Sequence, residues 1–136
     1  MRIALIEPDL RHATLVGRLI FAGGHMCQHF TASAPFLDQA ADEFFDLLIT
    51  ESWAGDRSAE DAIPRARSIL PGLPVIVLLS DPRESQIVAA LHAGADDCLA
   101  KPVRGPEMLA RVNALLRHAS LRRPPNRRRD TIGGKR

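Results

Sequence analysis

Short apolar runs alternate along the chain with segments whose apolar residues recur at helical spacing. "IALI" (3–6) is uninterrupted and predicts a strand, and residues 9–22 then place Ala13, Val16, Gly17 and Ile20 on one helical face. Gly23-Gly24 stops that helix. "HMCQHF" (25–30) alternates like a second strand, after which Phe36, Leu37, Ala40, Ala41 and Phe44 fall in helical register. "DLLIT" (46–50) predicts the third strand, followed by the loop "ESWAGD" and a helix carrying Ile63, Ala66 and Leu70. Pro64 in that segment predicts a first turn or a kink, because a helix interior tolerates proline poorly.

"LPVIVLLS" (73–80) is the clearest strand. In "DPRE", Asp81 reads as an N-cap, Pro82 as the first helical residue and Glu84 as the third. That helix is expected to bury Ile87, Val88 and Leu91 and to close at Gly94 in a left-handed cap. "CLA" (98–100) predicts a short fifth strand, and Gly105-Pro106-Glu107 opens a helix with Met108, Leu109, Val112, Leu115 and Leu116 on one face. Continuously apolar strands alternating with helices predict a five-stranded parallel sheet covered on both faces. Right-handed crossovers make it an open, doubly wound α/β sandwich of three layers. Such sheets bind ligands beyond the carboxyl ends of their strands, where strand order reverses.

Composition adds limits. A chain of 136 residues, 46% hydrophobic and 25% charged, fits one soluble domain with a real core. No apolar run approaches the ~18 residues of a membrane span, and "MRIALIEPDL" brings acids too early for a signal peptide. Cys27 and Cys98 lack CxxC spacing and read as free thiols of a reducing compartment, so a cytoplasmic location without membrane partners is expected. Charge divides the chain: residues 1–119 carry 11 Lys/Arg against 15 Asp/Glu, and residues 120–136 carry 7 against one. The first part is the expected domain. The second, "SLRRPPNRRRDTIGGKR", is a basic linker or tail, able to attract phosphate backbones without reading sequence.

The predicted strand ends carry the chemistry. The first ends at "EPD", Glu7 to Asp9, the third at Glu51, the fourth at Ser80 and the fifth at Lys101. Carboxylates, a hydroxyl and an ammonium on one rim are the inventory for handling a phosphoryl group and a divalent cation. Blander roles exist for each. Glu51 and Lys101 form a structural ion pair, Ser80 helps cap the fourth helix, Glu7 and Asp9 sit at the positive end of the first helix, and Cys98 is a small buried hydrophobe. His25, Cys27 and His29 share a strand face, but three ligands so close on one strand rarely enclose a metal, and none is expected. His12, His92 and His118 read as surface helix residues, and Trp53 lies in the loop after Glu51.

Together, "LIEPD", "FDLLITE", "PVIVLLS" and "AGADDCLAKP" (93–102) resemble the receiver domain of two-component response regulators over residues 1–119. "PEMLARVNALLRH" (106–118) is similar to the last helix of receivers that precede a winged-helix DNA-binding domain. The resemblance implies a flavodoxin-like (βα)5 fold and a linker leading into an absent effector domain. It also exposes departures. The phosphoacceptor aspartate of the family is Glu51 here. The paired acids at the end of the first strand fall on Glu7 and Pro8, and Pro8 occupies the position that ligates Mg²⁺ directly. The switch position, an aromatic in the family, is Cys98; Ser80 and Lys101 keep the family types.

A carboxylate displaced by one methylene is expected to transfer phosphate poorly, since a misplacement of ~1 Å costs ~100-fold. Losing the metal ligand removes the charge that makes attack tolerable. The expected protein is therefore no enzyme. It is an atypical receiver, without a cofactor and with Mg²⁺ weak at best, in which Glu51 holds a permanent charge beside Lys101 and Ser80. It controls a DNA-binding effector through homodimerisation by its fourth helix, fifth strand and fifth helix, where the resemblance places Asp97, Glu107 and Arg111. One alternative is a working phosphoacceptor served by a histidine kinase. Another is a small flavodoxin-like nucleotide binder, against which "EPDLRHA" offers no Gly-rich phosphate loop. A nucleic-acid binder acting through the tail would lack aromatic platforms.

Overall fold

The computed structural model describes the backbone of residues 1–122 and the side chains through His118. Strands and helices alternate as β1 (Arg2–Ile6), α1 (Leu10–Ala22), β2 (Met26–Phe30), α2 (Ser33–Ala40), β3 (Leu47–Glu51), α3 (Ala59–Ile69), β4 (Val75–Leu79), α4 (Glu84–His92), β5 (Asp97–Ala100) and α5 (Gly105–Arg122). The strands form one parallel sheet in the order β2-β1-β3-β4-β5. Strand order reverses between β1 and β3, which is where a doubly wound sheet opens its crevice.

Alternation along each strand sends side chains to two layers. Ile3, Leu5, Leu47, Ile49, Ile76, Leu78 and Leu99 pack with Val16 and Ile20 of α1 and with Met108, Val112 and Leu116 of α5. Ala4, Ile6, Leu48, Val75 and Val77 turn the other way, towards Phe36 of α2, Ile63 and Ala66 of α3 and Ala90 of α4. Phe30, Phe36 and Phe45 fill that second layer with ring centroids 5.4 to 6.2 Å apart. The Arg2 guanidinium lies 4.3 Å above the Phe45 ring and 2.6 Å from Glu43, closing the end of the sheet away from the crevice.

Four expectations need correction. Helix α2 ends at Ala40, so Phe44 lies outside it, half-buried against the core. Helix α3 spans Ala59–Ile69 with Pro64 inside it, so the proline does not mark its first turn. Its first turn is capped by Ser58, whose hydroxyl accepts the Asp61 amide, and only the carbonyl of Glu60 loses a partner at the proline. Helix α4 starts at Glu84, because Asp81 spends its carboxylate on the Arg83 amide and guanidinium in a local turn and does not cap a helix. At this end of the sheet only a narrow stripe of α4 meets the strands. Ala90 is buried and Ile87 partly so, but Val88 and Leu91 are 42% and 46% exposed. Gly94 closes the helix at φ +108° as expected. Helix α5 is described to Arg122, so its last residues belong to the basic segment that begins at residue 120. The rest of the basic tail lies outside the described residues.

Helix α2 receives its cap from another segment. Ala32 offers no side-chain acceptor, and Asp56, in the loop between β3 and α3, accepts the Ser33 amide (2.9 Å), the Ser33 hydroxyl (2.6 Å) and the Ala34 amide (3.0 Å). Gly55 makes this approach possible. It sits at φ +83°, and a Cβ there would lie 2.1 Å from the Thr31 carbonyl oxygen.

Burial pushes the Asp56 carboxyl up, but the Ser33 and Ala34 hydrogen bonds and the Arg57 charge hold it below its ordinary value. A carboxyl lowered by folding stabilises above its unfolded pKa, and that contribution is lost as pH falls through the lower folded value. Asp56→Ala should therefore cost about 1 kcal/mol at neutral pH, the size of a lost cap. Urea unfolding checks this: a lower midpoint at unchanged slope is expected, with the difference from wild type shrinking in acid. An unchanged midpoint would show that water caps α2 equally well.

Candidate functional site

Strand parity builds the rim. Residues 3 and 5 of β1, 47 and 49 of β3, 76 and 78 of β4, and 99 of β5 share the layer facing α1 and α5. Two residues further along the same rows stand Glu7, Glu51, Ser80 and Lys101. The structure brings all four together at the carboxyl ends of the strands.

Glu7 is the centre of the group, with 1% of its surface exposed. Its Oε1 forms an ion pair with Lys101 Nζ and accepts a hydrogen bond from His12 Nδ1, both at 2.7 Å, and its Oε2 accepts the Asp9 amide at 3.1 Å. Its backbone carbonyl accepts from His29 Nε2 at 2.7 Å. Glu51, also buried, is held differently. Its Oε1 accepts the Ser80 hydroxyl at 3.1 Å, and its Oε2 accepts the Trp53 amide and the Ser52 hydroxyl. Lys101 Nζ stays 3.8 Å from it. Ser80 is thus a partner of Glu51, not a cap of α4. The ion pair expected between Lys101 and Glu51 is in fact shared, and its short arm goes to Glu7. The reason is donor supply: Trp53, Ser52 and Ser80 already serve the Glu51 oxygens, whereas Glu7 sits deeper and has no hydroxyl beside it.

Asp9 points into α1, as expected of a carboxylate one residue late. Its Oδ1 accepts the Arg11 amide at 2.9 Å and the His12 amide at 3.5 Å, the arrangement of an N-cap. His12 is the residue that sequence reasoning missed. It is 8% exposed and no surface residue, while His92 and His118 are exposed. A signal existed: His12 precedes Val16 and Ile20 by four and eight positions and so extends their buried stripe. Trp53, 55% exposed, stands at the rim. Cys98 is half-buried and packs against the core as a small hydrophobe.

The donors present do not fit the Mg²⁺ ion that the family resemblance implies. Such an ion needs carboxylate oxygens free to approach to about 2.1 Å. Pro8 supplies none, Asp9 is turned into its helix, and the oxygens of Glu7 and Glu51 are occupied by the protein's own donors. Among the described residues no group of three His, Cys, Asp or Glu side chains is arranged to hold a metal. His25 and His29 are engaged elsewhere, with Asn113 and with the Glu7 carbonyl. Also among the described residues, no helix is long and apolar enough to cross a membrane.

Asp97, Glu107 and Arg111 form one cluster within the chain. Arg111 donates to Asp97 at 3.0 Å and to Glu107 at 3.3 Å. This joins β5 to α5.

No protein-family model matches the chain. It is 30% identical, over 88% of its length, to a probable transcriptional regulatory protein, SilR, of Salmonella typhimurium. It is 32% identical, over 86% of its length, to the response regulator MprA of Mycobacterium avium. The chain spans about half of these relatives, 53% and 51%. A CheY-like response regulator receiver domain from Methanospirillum hungatei superposes with a TM-score of 0.81 at 20% identity, over 90% of this chain and 98% of that one. The fold is the same.

Unequal supply of partners makes the two glutamates unequal. Glu7→Ala strands Lys101 and His12 in a buried site and should cost roughly 3 kcal/mol, the scale of breaking a buried pair. Glu51→Ala leaves Lys101 with its short contact and should cost clearly less. Equal losses in denaturant unfolding would contradict the assignment of Lys101 to Glu7. The thiols give a second check. Burial pushes Cys27 up to about 11, and burial followed by the Asp97 charge pushes Cys98 up. At pH 8 a thiol of pKa about 11 is ~0.1% thiolate, so Cys27 in folded protein should react with a disulfide reagent far more slowly than in urea. Fast reaction without denaturant would refute it.

Proposed function

This chain is a response-regulator receiver domain, and from that premise we propose that it works without phosphorylation, through homodimerisation that controls a DNA-binding effector. One observation carries the reading: at the phosphoacceptor position stands Glu51, a carboxylate whose oxygens are already satisfied by Ser80, Ser52 and the Trp53 amide. An aspartate in that place would have to be free to attack, and a metal would have to neutralise the charge. Glu51 instead supplies a permanent −1, against about −1.5 to −2 for a phosphoryl group. It acts as a partial stand-in. The protein is no enzyme on this reading and is cytoplasmic, and DNA is met only through a further domain joined beyond the linker.

The face of α4, β5 and α5 supports the dimer. Val88 and Leu91 of α4 are exposed apolar residues that would form its centre, and Asp97, Arg111 and Glu107 of β5 and α5 would supply its charges. Exposed pairs contribute ~0–1 kcal/mol each, so the apolar residues supply affinity and the charges supply register. A two-fold arrangement would let each charge meet its counterpart twice. The alternative, a phosphoacceptor receiver served by a histidine kinase, needs Glu51 to give up its partners.

Two measurements test this. Acetyl phosphate with Mg²⁺ should leave the intact mass unchanged, and a base-labile phosphoryl adduct would overturn the phosphate-independent reading. Analytical ultracentrifugation should show a modest, salt-sensitive dimer of the unmodified protein, several-fold weaker in Arg111→Glu, which sets a third acid beside Asp97 and Glu107. A wild type that stays monomeric at high concentration refutes the dimer. A dimer indifferent to Glu51→Ala reduces Glu51 to a structural charge.

A further inference from the structure

We propose that His12 and Lys101, both bound to Oε1 of Glu7, take the place of a divalent cation in this pocket. Glu7 and Glu51 bring two negative charges to neighbouring strand ends, β1 pairing directly with β3. Something must neutralise them out of water. Lys101 reaches Glu7 at 2.7 Å and Glu51 at 3.8 Å, so one ammonium spans both acids as a bridging metal would.

Lys101 alone leaves the Glu7 oxygen half-served, and His12 completes it. Because an ionised carboxylate only accepts, Nδ1 of His12 carries the proton it donates. The other ring nitrogen is informative. His12 Nε2 is buried and has no partner among the described residues. A bare buried nitrogen carries a penalty, and an apolar residue in the Val16–Ile20 stripe would avoid it. The imidazole is held there by what its other end does. Serving Glu7 makes His12 a positioning residue: it fixes the carboxylate that Lys101 binds and blocks the oxygen that a metal would need.

The proposal rests on the pocket being one that takes no phosphate, but its readout is divalent binding. A phosphoryl adduct would sink the functional reading above without touching this one, and metal binding by the wild type would do the reverse. The proteins compared are the wild type, Lys101→Met, His12→Leu and the double variant, with leucine chosen to extend the apolar stripe. Thermal unfolding and ¹H–¹⁵N spectra are followed as MgCl₂ is raised to tens of millimolar, against NaCl of equal ionic strength. Wild type should respond to Mg²⁺ as it does to NaCl. Lys101→Met should unfold at a lower temperature and be raised by a few degrees by Mg²⁺ beyond the NaCl control, with saturable shifts at Glu7 and Glu51. The double variant should bind Mg²⁺ several-fold more tightly than Lys101→Met. Saturable binding by wild type, or variants blind to Mg²⁺, overturns the proposal. Equal affinity of Lys101→Met and the double variant removes His12 from it. Should the double variant fail to fold, His12→Leu alone must show a Mg²⁺ response that wild type lacks, and its absence is equally decisive.

Discussion

The structure turns on a carboxylate that has left water. Glu7 stands one residue past the end of β1 with almost no exposed surface, and an ionised group in that position is tolerated only if every oxygen is served. Its partners come from separate parts of the chain: His12 from the first turn of α1, Lys101 from the end of β5, His29 from β2, and the Asp9 amide from the connecting loop. Each requires its element to sit in one register. A turn of α1 in the wrong phase, or β5 shifted by one residue, would strand the charge. One buried acid thus ties the middle of the sheet to both of its flanks.

Glu51 obeys the same physics with different means. It lies in the same row of β3 as Leu47 and Ile49, and its oxygens are met by hydroxyls and a backbone amide from its own neighbourhood and from β4. The pocket therefore has two sub-sites, one salt-bridged and one hydrogen-bonded, joined by the long arm of Lys101. A site so arranged holds its charge without an outside donor.

Much of this was legible in the sequence. Apolar runs revealed four strands and the alternation of "HMCQHF" the second, and the rows of alternating residues carry directly to Glu7, Glu51, Ser80 and Lys101. What failed did so for local reasons. Asp81 had two uses for its carboxylate, a helix cap or a turn with Arg83, and spacing does not rank them. Val88 and Leu91 have the spacing of a buried face, but α4 covers one end of the sheet and has too little to bury them against. His12 read as polar and therefore external, because the need that draws it inside belongs to another residue. Which acid Lys101 prefers depends on about an ångström of reach, and no periodicity encodes that.

Gly55 shows how unevenly the molecule will tolerate change. Any other side chain there must displace the backbone of the β2–α2 connection, since its first carbon would overlap the Thr31 carbonyl, and the positive φ opposes it as well. The same loop carries Trp53, whose amide holds Glu51, and Asp56, which caps α2. A substitution at that one position would be felt at the rim and in a helix on the far layer at once. On the exposed side of α4 most codons are interchangeable as far as folding is concerned. Folding alone therefore constrains the short loop that carries Trp53 far more tightly than the outer side of α4, where any constraint must come from what that side binds.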